Sequence, residues 1–403
     1  MIQPITPAPL SGSIPAIPSK SAAHRLYICA ALADSPTEIS CQGTSKDIEA
    51  TKACLDAMKN GDSLLRCGES GSTLRFLLPV VAALGLEVDF QMEGRLPDRP
   101  LAPLDAQLEA HGVTLSRPVR HDLLHVSGRL EPGAYVLPGN VSSQYISGLL
   151  FALPLLDGVS TLTVTGKVES APYIAMTLDA LKQFGVRPKI EANVYTIPHM
   201  PYRSPGTAAV EGDWSNAAFW LCAGAIGQPM AVTGLDPDSL QGDKAVVEIL
   251  RRFGAKTERN GSSYTVSPGE LTAIDIDAAA IPDLVPVLSV VAAAAEGTTR
   301  IYNAGRLRIK ESDRIQTVRA MLANLGADVE ETADGLLVSG GNPQPGGVVD
   351  SANDHLIAMA AAVASILCQG PVTVTGAEAV SKSYPKFWED FEKMQNAECK
   401  MQN

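Results

Sequence analysis

The stretch IPSKSAAHRLYICAALA, Ile17 to Ala33, sets Lys20, Ser21 and Arg25 at the front of an apolar helix pattern. A helix N-terminus already carries partial positive charge and unbonded N–H groups, so stabilising the helix alone calls for Asp or Glu there. Cations in that place make sense where a bound anion completes the site. Further stretches share this composition. CGESGSTLRFLLPVVAAL puts Gly68, Gly71, Ser72 and Thr73 before a helix, with Arg75 in its first turn. Glycines let a backbone come close to an oxyanion, although the Gly-Lys-Ser/Thr ending of a Walker loop is missing. GNVSSQYISGLLFAL places Ser142, Ser143 and Gln144 at a helix start, a composition that also suits a plain cap. In RLRIKESDRIQTVRAML, Arg306, Arg308, Lys310 and Arg314 surround Glu311 and Asp313, which reads either as an anion site or as a solvated, salt-bridged face. SKSYPKFWEDF offers Lys382 between two serines. In IPDLVPVLSVVAAAA, Asp283 leads a very apolar helix, as an N-cap or as a general base in a low-dielectric cleft.

No Ser-His-Asp pattern or metal-ligand cluster appears. The chemistry to expect is proton transfer and charge stabilisation on an anionic substrate. Several cationic or hydroxyl-rich helix starts, spread over both halves, are more than one phosphate needs. The chain is acidic overall, with a formal charge of −12 from 32 Lys and Arg against 44 Asp and Glu. That argues against a nucleic-acid or membrane-surface binder, so the anion site is a local cationic pocket. The seven cysteines, Cys29, Cys41, Cys54, Cys67, Cys222, Cys368 and Cys399, include no C-x-x-C pair, as in a reduced, cytoplasmic protein without zinc. MIQPITPAP lacks the pattern of a signal peptide. The apolar run Leu284–Ala295 is too short to span a bilayer and is interrupted by Pro286.

The elements that must position these groups show in internal repeats. Pro103–Leu115, Thr177–Ile190, Val246–Glu258 and Thr317–Glu330 are each an amphipathic helix closed by glycine and followed by an extended stretch. Gly112, Gly185, Gly254 and Gly326 are the expected left-handed stops. Ala50–Leu65 is a weaker fifth copy. The chain of 403 residues is therefore built from α+β units of about seventy residues, longer than solenoid repeats. Pro201, Pro205 and Gly206 mark a break before a new helix near Ser215, so two similar lobes are expected, with the site in a cleft between them.

In this order the motifs SKSAAHR, GESGSTLRF, DRP, GNVSSQ, SAPYIAMTL, SPG, VEGDWSNAAFWL, QGD, IPDLVPVLSVVAA, RIKESDR, NDH and SKSYP resemble the 5-enolpyruvylshikimate-3-phosphate synthase family along nearly the whole chain. The resemblance implies an α/β fold of the enolpyruvyl transferase type, an inside-out barrel. Its two lobes, residues 1–16 with 212–403 and residues 17–211, each hold three βαβαββ-type subdomains around a pseudo-threefold axis. It implies transfer of the enolpyruvyl group of phosphoenolpyruvate to the 5-hydroxyl of shikimate 3-phosphate, with no metal or organic cofactor, in a cytoplasmic monomer. Carried over by motif, Lys20, Ser21, Arg25, Ser142, Ser143, Gln144, Ser170, Tyr173, Asp283 and Lys310 would bind shikimate 3-phosphate. Lys20, Gly71, Arg75, Arg99, Gln144, Arg314, His355 and Lys382 would bind phosphoenolpyruvate. Asp283, helped by Lys310, would take the 5-hydroxyl proton, and Glu311 and Lys20 would handle protons at the methylene carbon. The sequence departs from the family at Ile17-Pro18, where Gly usually follows Pro, at Glu69 and Ser72, usually Asn and Thr, and at Leu356, usually an Arg that grips phosphoenolpyruvate. Arg306 or Arg308 could fill that gap. The alternatives are the related transferase acting on UDP-N-acetylglucosamine, whose Lys-Asn type opening is absent, and a non-catalytic binder of shikimate 3-phosphate.

Overall fold

The computed structural model describes residues 1–117 and 120–396; Cys399 lies outside the described residues. The chain divides into two compact units, Lys20–Val210 and Met1–Ser19 together with the chain from Glu211 onward. Each has its own apolar core.

Lys20–Val210 contains helices α1 (Lys20–Leu32), α2 (Lys46–Asn60), α3 (Gly71–Leu84), α4 (Leu104–Glu109), α5 (Ser143–Ala152) and α6 (Ala171–Gln183). Leu64–Gly68 runs parallel to Val88–Met92, which pairs antiparallel with Leu123–Gly128, itself antiparallel to Val113–Ser116. With α3 and α4 between the strands, the chain order is βαβαββ. Ala134–Pro138, Val159–Thr165, Val194–Pro198 and Lys189–Glu191 repeat that plan around α5 and α6. A reduced third copy pairs Glu38–Ser40 with Thr207–Ala209. Nearly all of α3 and α5 is buried, which is why these sequences are apolar all round and not striped. Pro79 sits inside α3 and has no N–H for the Arg75 carbonyl. Gly148 of α5 covers that point: a Cβ there would stand 2.3 Å from the Arg75 oxygen.

The second unit contains α7 (Trp214–Ile226), α8 (Val246–Phe253), α9 (Val285–Ala294), α10 (Arg314–Leu325), α11 (His355–Ala364) and α12 (Phe387–Gln395). Two of its three sheets follow the same four-stranded plan, and the third has three strands among the described residues. Gly12–Pro15 lies parallel to Met230–Thr233, Asp275–Asp277 to Thr298–Tyr302, and Gly347–Asp350 to Val372–Thr375. The N-terminal segment also gives the third sheet its antiparallel strand, Ile2–Ile5. Helices α7, α9 and α11 are buried almost throughout, while α8 buries one face, Val246, Ile249, Leu250 and Phe253.

The four repeat glycines have φ of 92°, 80°, 111° and 96°, the left-handed region their spacing predicts. Pro286 behaves differently from expectation. It does not interrupt the apolar run; it stands in the first turn of α9, where its missing N–H would have had no partner anyway. Among the described residues no helix is long and apolar enough to cross a membrane.

Candidate functional site

In Lys20–Val210 the predicted residues form two groups at helix starts. Arg25, on the second turn of α1, is 3% exposed. It donates to Thr177 Oγ1 at 2.9 Å, to the Ser21 carbonyl at 2.6 Å and to the Tyr173 carbonyl at 2.9 Å, and it lies over the Phe76 ring. Burial lowers its pKa to about 10. Every hydrogen-bond partner is a neutral oxygen, so none of them cancels its charge. Lys20 differs: its Nζ lies 3.0 Å from Asp47 Oδ2 at the start of α2. Ser170 precedes α6 in the left-handed region, φ 54°, and its side chain makes no capping bond. A non-glycine residue there stores strain, which is often seen where a ligand must be met.

The second group gathers at α3. The Arg75 and Arg99 guanidiniums crowd Gly71: a Cβ on that glycine would come within 2.5 and 2.8 Å of their Nη1 atoms. Only glycine leaves the backbone this accessible. Arg75 donates to Gln144 Oε1 at 3.1 Å, and Gln144 Nε2 donates to Ser72 Oγ at 2.9 Å, tying the starts of α3 and α5 together. Ser142 caps α5 by accepting from the Gln144 N–H, as the plain-cap reading allowed, and Ser143 is buried behind it. Glu69, the departure from the family pattern, turns toward Gly94, where a Cβ would lie 2.4 Å from its Oε2.

The second unit is organised around Arg314, the first residue of α10 and 2% exposed. Its Nη1 donates to Asp283 Oδ1 at 2.6 Å, its Nη2 to Glu311 Oε2 at 2.7 Å and its Nε to Asp354 Oδ2 at 2.7 Å. Burial alone would lower its pKa; the charges of Asp354, Glu311 and Asp283 outweigh that and hold it well above the usual arginine range. Asp283 is not a cap. It lies within the turn Pro282–Leu284, and neither that turn nor α9 has a side-chain cap. The true cap is Asp354, which accepts from the Leu356 N–H at the start of α11. His355 Nδ1 is 3.8 Å from Asp354 Oδ1, and Lys382 Nζ donates to the Asn353 carbonyl at 2.6 Å. Lys310 follows the turn Gly305–Ile309, and its charge acts on the buried carboxyl of Asp243. That carboxyl is pushed up to about 8, chiefly by burial and then by Asp283.

Leu356 is buried among apolar side chains. Arg308 cannot stand in for an arginine there, because it is committed to Glu331 at 2.7 Å and Asp313 at 3.2 Å. The solvated-face reading therefore describes Arg308 but not Arg314, six residues further on in the same motif. Sequence reasoning missed Asp47, Thr177, Asp243 and the role of Asp354. Each meets its partner across 27 to 152 residues, a separation that leaves no local signal.

A family model described as EPSP synthase (3-phosphoshikimate 1-carboxyvinyltransferase) matches residues 4–64 and 58–391. A 3-phosphoshikimate 1-carboxyvinyltransferase of Clostridium acetobutylicum is 42% identical over 416 residues, spanning 97% of this chain and 96% of its own. That of Clostridium kluyveri is 41% identical over 409 residues, spanning 96% of each. Among solved structures, an EPSP synthase from Acinetobacter baumannii has a TM-score of 0.80 at 25% identity and covers 98% of both chains. The enolpyruvyl transferase NikO from Streptomyces tendae shares the fold, with a TM-score of 0.75 at 18% identity over 98% of this chain and 97% of its own. This chain belongs to the EPSP synthase family.

Proposed function

We propose that this chain transfers the enolpyruvyl group of phosphoenolpyruvate to the 5-hydroxyl of shikimate 3-phosphate and releases phosphate, within the synthesis of chorismate and the aromatic amino acids. The family match supplies the reaction class. The structural observation that carries the reading is Arg25, a buried cation whose hydrogen bonds all go to neutral oxygens. Such a charge is costly unless an anion meets it. Lys20, Ser21, Arg25, Ser142, Ser143, Gln144, Ser170 and Tyr173 then bind shikimate 3-phosphate, and Gly71, Arg75 and Arg99, with Lys20, Gln144, His355 and Lys382, bind phosphoenolpyruvate, while Arg314, which the resemblance also gave to phosphoenolpyruvate, serves Asp283, Glu311 and Asp354. The enzyme works as a cytoplasmic monomer on these two substrates.

In the addition step the 5-oxygen bonds to C2 of phosphoenolpyruvate as Asp283 accepts its proton, with Lys310 alongside. C3 gains a proton from Lys20 and becomes a methyl group. The product is a tetrahedral ketal that still holds the phosphate. In the elimination step Glu311 removes a methyl proton, the C2–C3 double bond returns and the C2–O bond to phosphate breaks. Arg314 pairs with both Asp283 and Glu311 and orients them. Holding the two substrates together supplies further rate.

The test is phosphate release with shikimate 3-phosphate and phosphoenolpyruvate, then with UDP-N-acetylglucosamine in place of the first. Turnover of the shikimate compound is expected. Turnover of the nucleotide sugar alone, or binding of shikimate 3-phosphate with no release, overturns the reading.

A further inference from the structure

Four buried side chains run in line from α1 to the start of α3. His24 Nδ1 lies 2.7 Å from Thr51 Oγ1, which lies 2.7 Å from Thr73 Oγ1, and Thr73 Oγ1 donates to Ser70 Oγ at 2.7 Å. None of the four residues is more than 1% exposed. A hydroxyl has one proton to give. Thr73 gives its proton to Ser70, so it accepts from Thr51, and Thr51 in turn accepts from His24. The order requires a neutral ring with its proton on Nδ1. Burial favours that neutral form, holding the His24 pKa at about 3. Nε2 is left without a partner, with the ring edge-on to Phe76. An orphaned buried acceptor is destabilising, and leucine would fill the space without one.

The chain ends where an anion subsite begins. Ser70 Oγ also accepts the Thr73 N–H and so caps α3. The next residue is Gly71, against which Arg75 and Arg99 lie. We propose that His24 is a positioning residue for this subsite: its Nδ1–H sets the direction of the hydroxyl chain that fixes Ser70 and the Gly71 backbone. The inference rests on the reading of that subsite as the place of phosphoenolpyruvate. The shikimate 3-phosphate group is anchored separately, since Arg25 is held by Thr177 and two carbonyls.

Three variants test this: His24→Leu, Thr51→Val, and His24→Asn, whose amide can donate from the place of Nδ1. The first two are expected to raise KM for phosphoenolpyruvate about 5-fold, the loss of one hydrogen bond, with kcat and calorimetric binding of shikimate 3-phosphate unchanged. His24→Asn should recover most of the loss. In the wild type, nitrogen NMR should show the Nδ1–H tautomer across the neutral pH range. An Nε2–H tautomer, an unchanged KM in both disruptive variants, or an equal loss toward both substrates without rescue by asparagine overturns the proposal. Arg99→Ala separates the two layers. If it leaves KM for phosphoenolpyruvate unchanged, the subsite reading falls and takes the proposal with it. If it raises KM and His24→Leu does not, only the positioning role falls.

Discussion

Arg25 and Arg314 are both buried guanidiniums, and they are held in opposite ways. Arg25 meets a hydroxyl and two carbonyls, so its charge is oriented but not cancelled. Arg314 meets three carboxylates, so its charge is spent within the protein. The difference separates two tasks that look alike in sequence. A cation kept among neutral oxygens suits the proposed binding of an anion from outside. A cation wrapped in acids organises those acids, and two of them, Asp283 and Glu311, are the groups the proposed reaction needs as bases.

The largest expected effect comes from removing one of those bases. Asp283→Ala should lower kcat by ~10²–10⁴-fold while calorimetry shows shikimate 3-phosphate still bound. Turnover within a few-fold of wild type would make Asp283 only a counter-ion for Arg314, and the contrast between the two arginines would lose its chemical meaning.

Neutralising the arginines themselves should separate them further. Arg25→Gln should weaken shikimate 3-phosphate by about 100-fold, the loss of two charged hydrogen bonds, with the melting temperature held or raised because an unpaired buried charge is gone. Arg314→Gln should instead destabilise by about 3–5 kcal/mol, because three carboxylates are left facing one another. Thermal melting of both variants decides it; equal destabilisation would show that Arg25 is as structural as Arg314.

Much of this is legible in the sequence. The left-handed stops at Gly254 and Gly326 follow from local chain physics, and so does the cationic start of α1. What was illegible is long-range. Nothing near Gly12–Pro15 says that it pairs with Met230–Thr233, because strand pairing is settled by the core that both strands join. Asp47 reads locally as an ordinary acidic first turn of α2 and only the fold brings it to Lys20. That Asp283 pairs with Arg314, 31 residues away, and caps no helix was likewise out of reach of local sequence.

Leu356 sharpens the comparison at smaller scale. The second unit keeps Arg314 for its own acids, so its hold on phosphoenolpyruvate is expected to be weak where leucine replaces the family arginine. Leu356→Arg should lower KM for phosphoenolpyruvate about ten-fold, as a bidentate contact would. Shikimate 3-phosphate should bind as before. An unchanged KM for phosphoenolpyruvate in a folded variant would mean that another cation already fills the role.

The smallest effect concerns Asp243, a third kind of buried charge. Its Oδ2 accepts from Ser215, its Oδ1 has no partner, and its pKa is pushed up to about 8, first by burial and then by Asp283. The folded protein therefore keeps this proton up to about pH 8, whereas an unfolded aspartate releases it near pH 4. Between those limits the folded state binds more protons than the unfolded state, so stability falls as pH rises through the window. Asp243→Asn keeps the shape and removes the titration. Its melting temperature should match wild type near pH 4 and exceed it by a few degrees near pH 8, the difference growing steadily between. The same variant also loses a neighbouring acid whose charge, once ionised, would disfavour ionisation of Asp283; below pH 8 that charge is absent in the wild type too, so turnover near neutrality should change little. Parallel melting curves across the whole range would show that Asp243 is ionised when folded, and that Lys310 and Ser215 hold it as Arg314 is held, by charge.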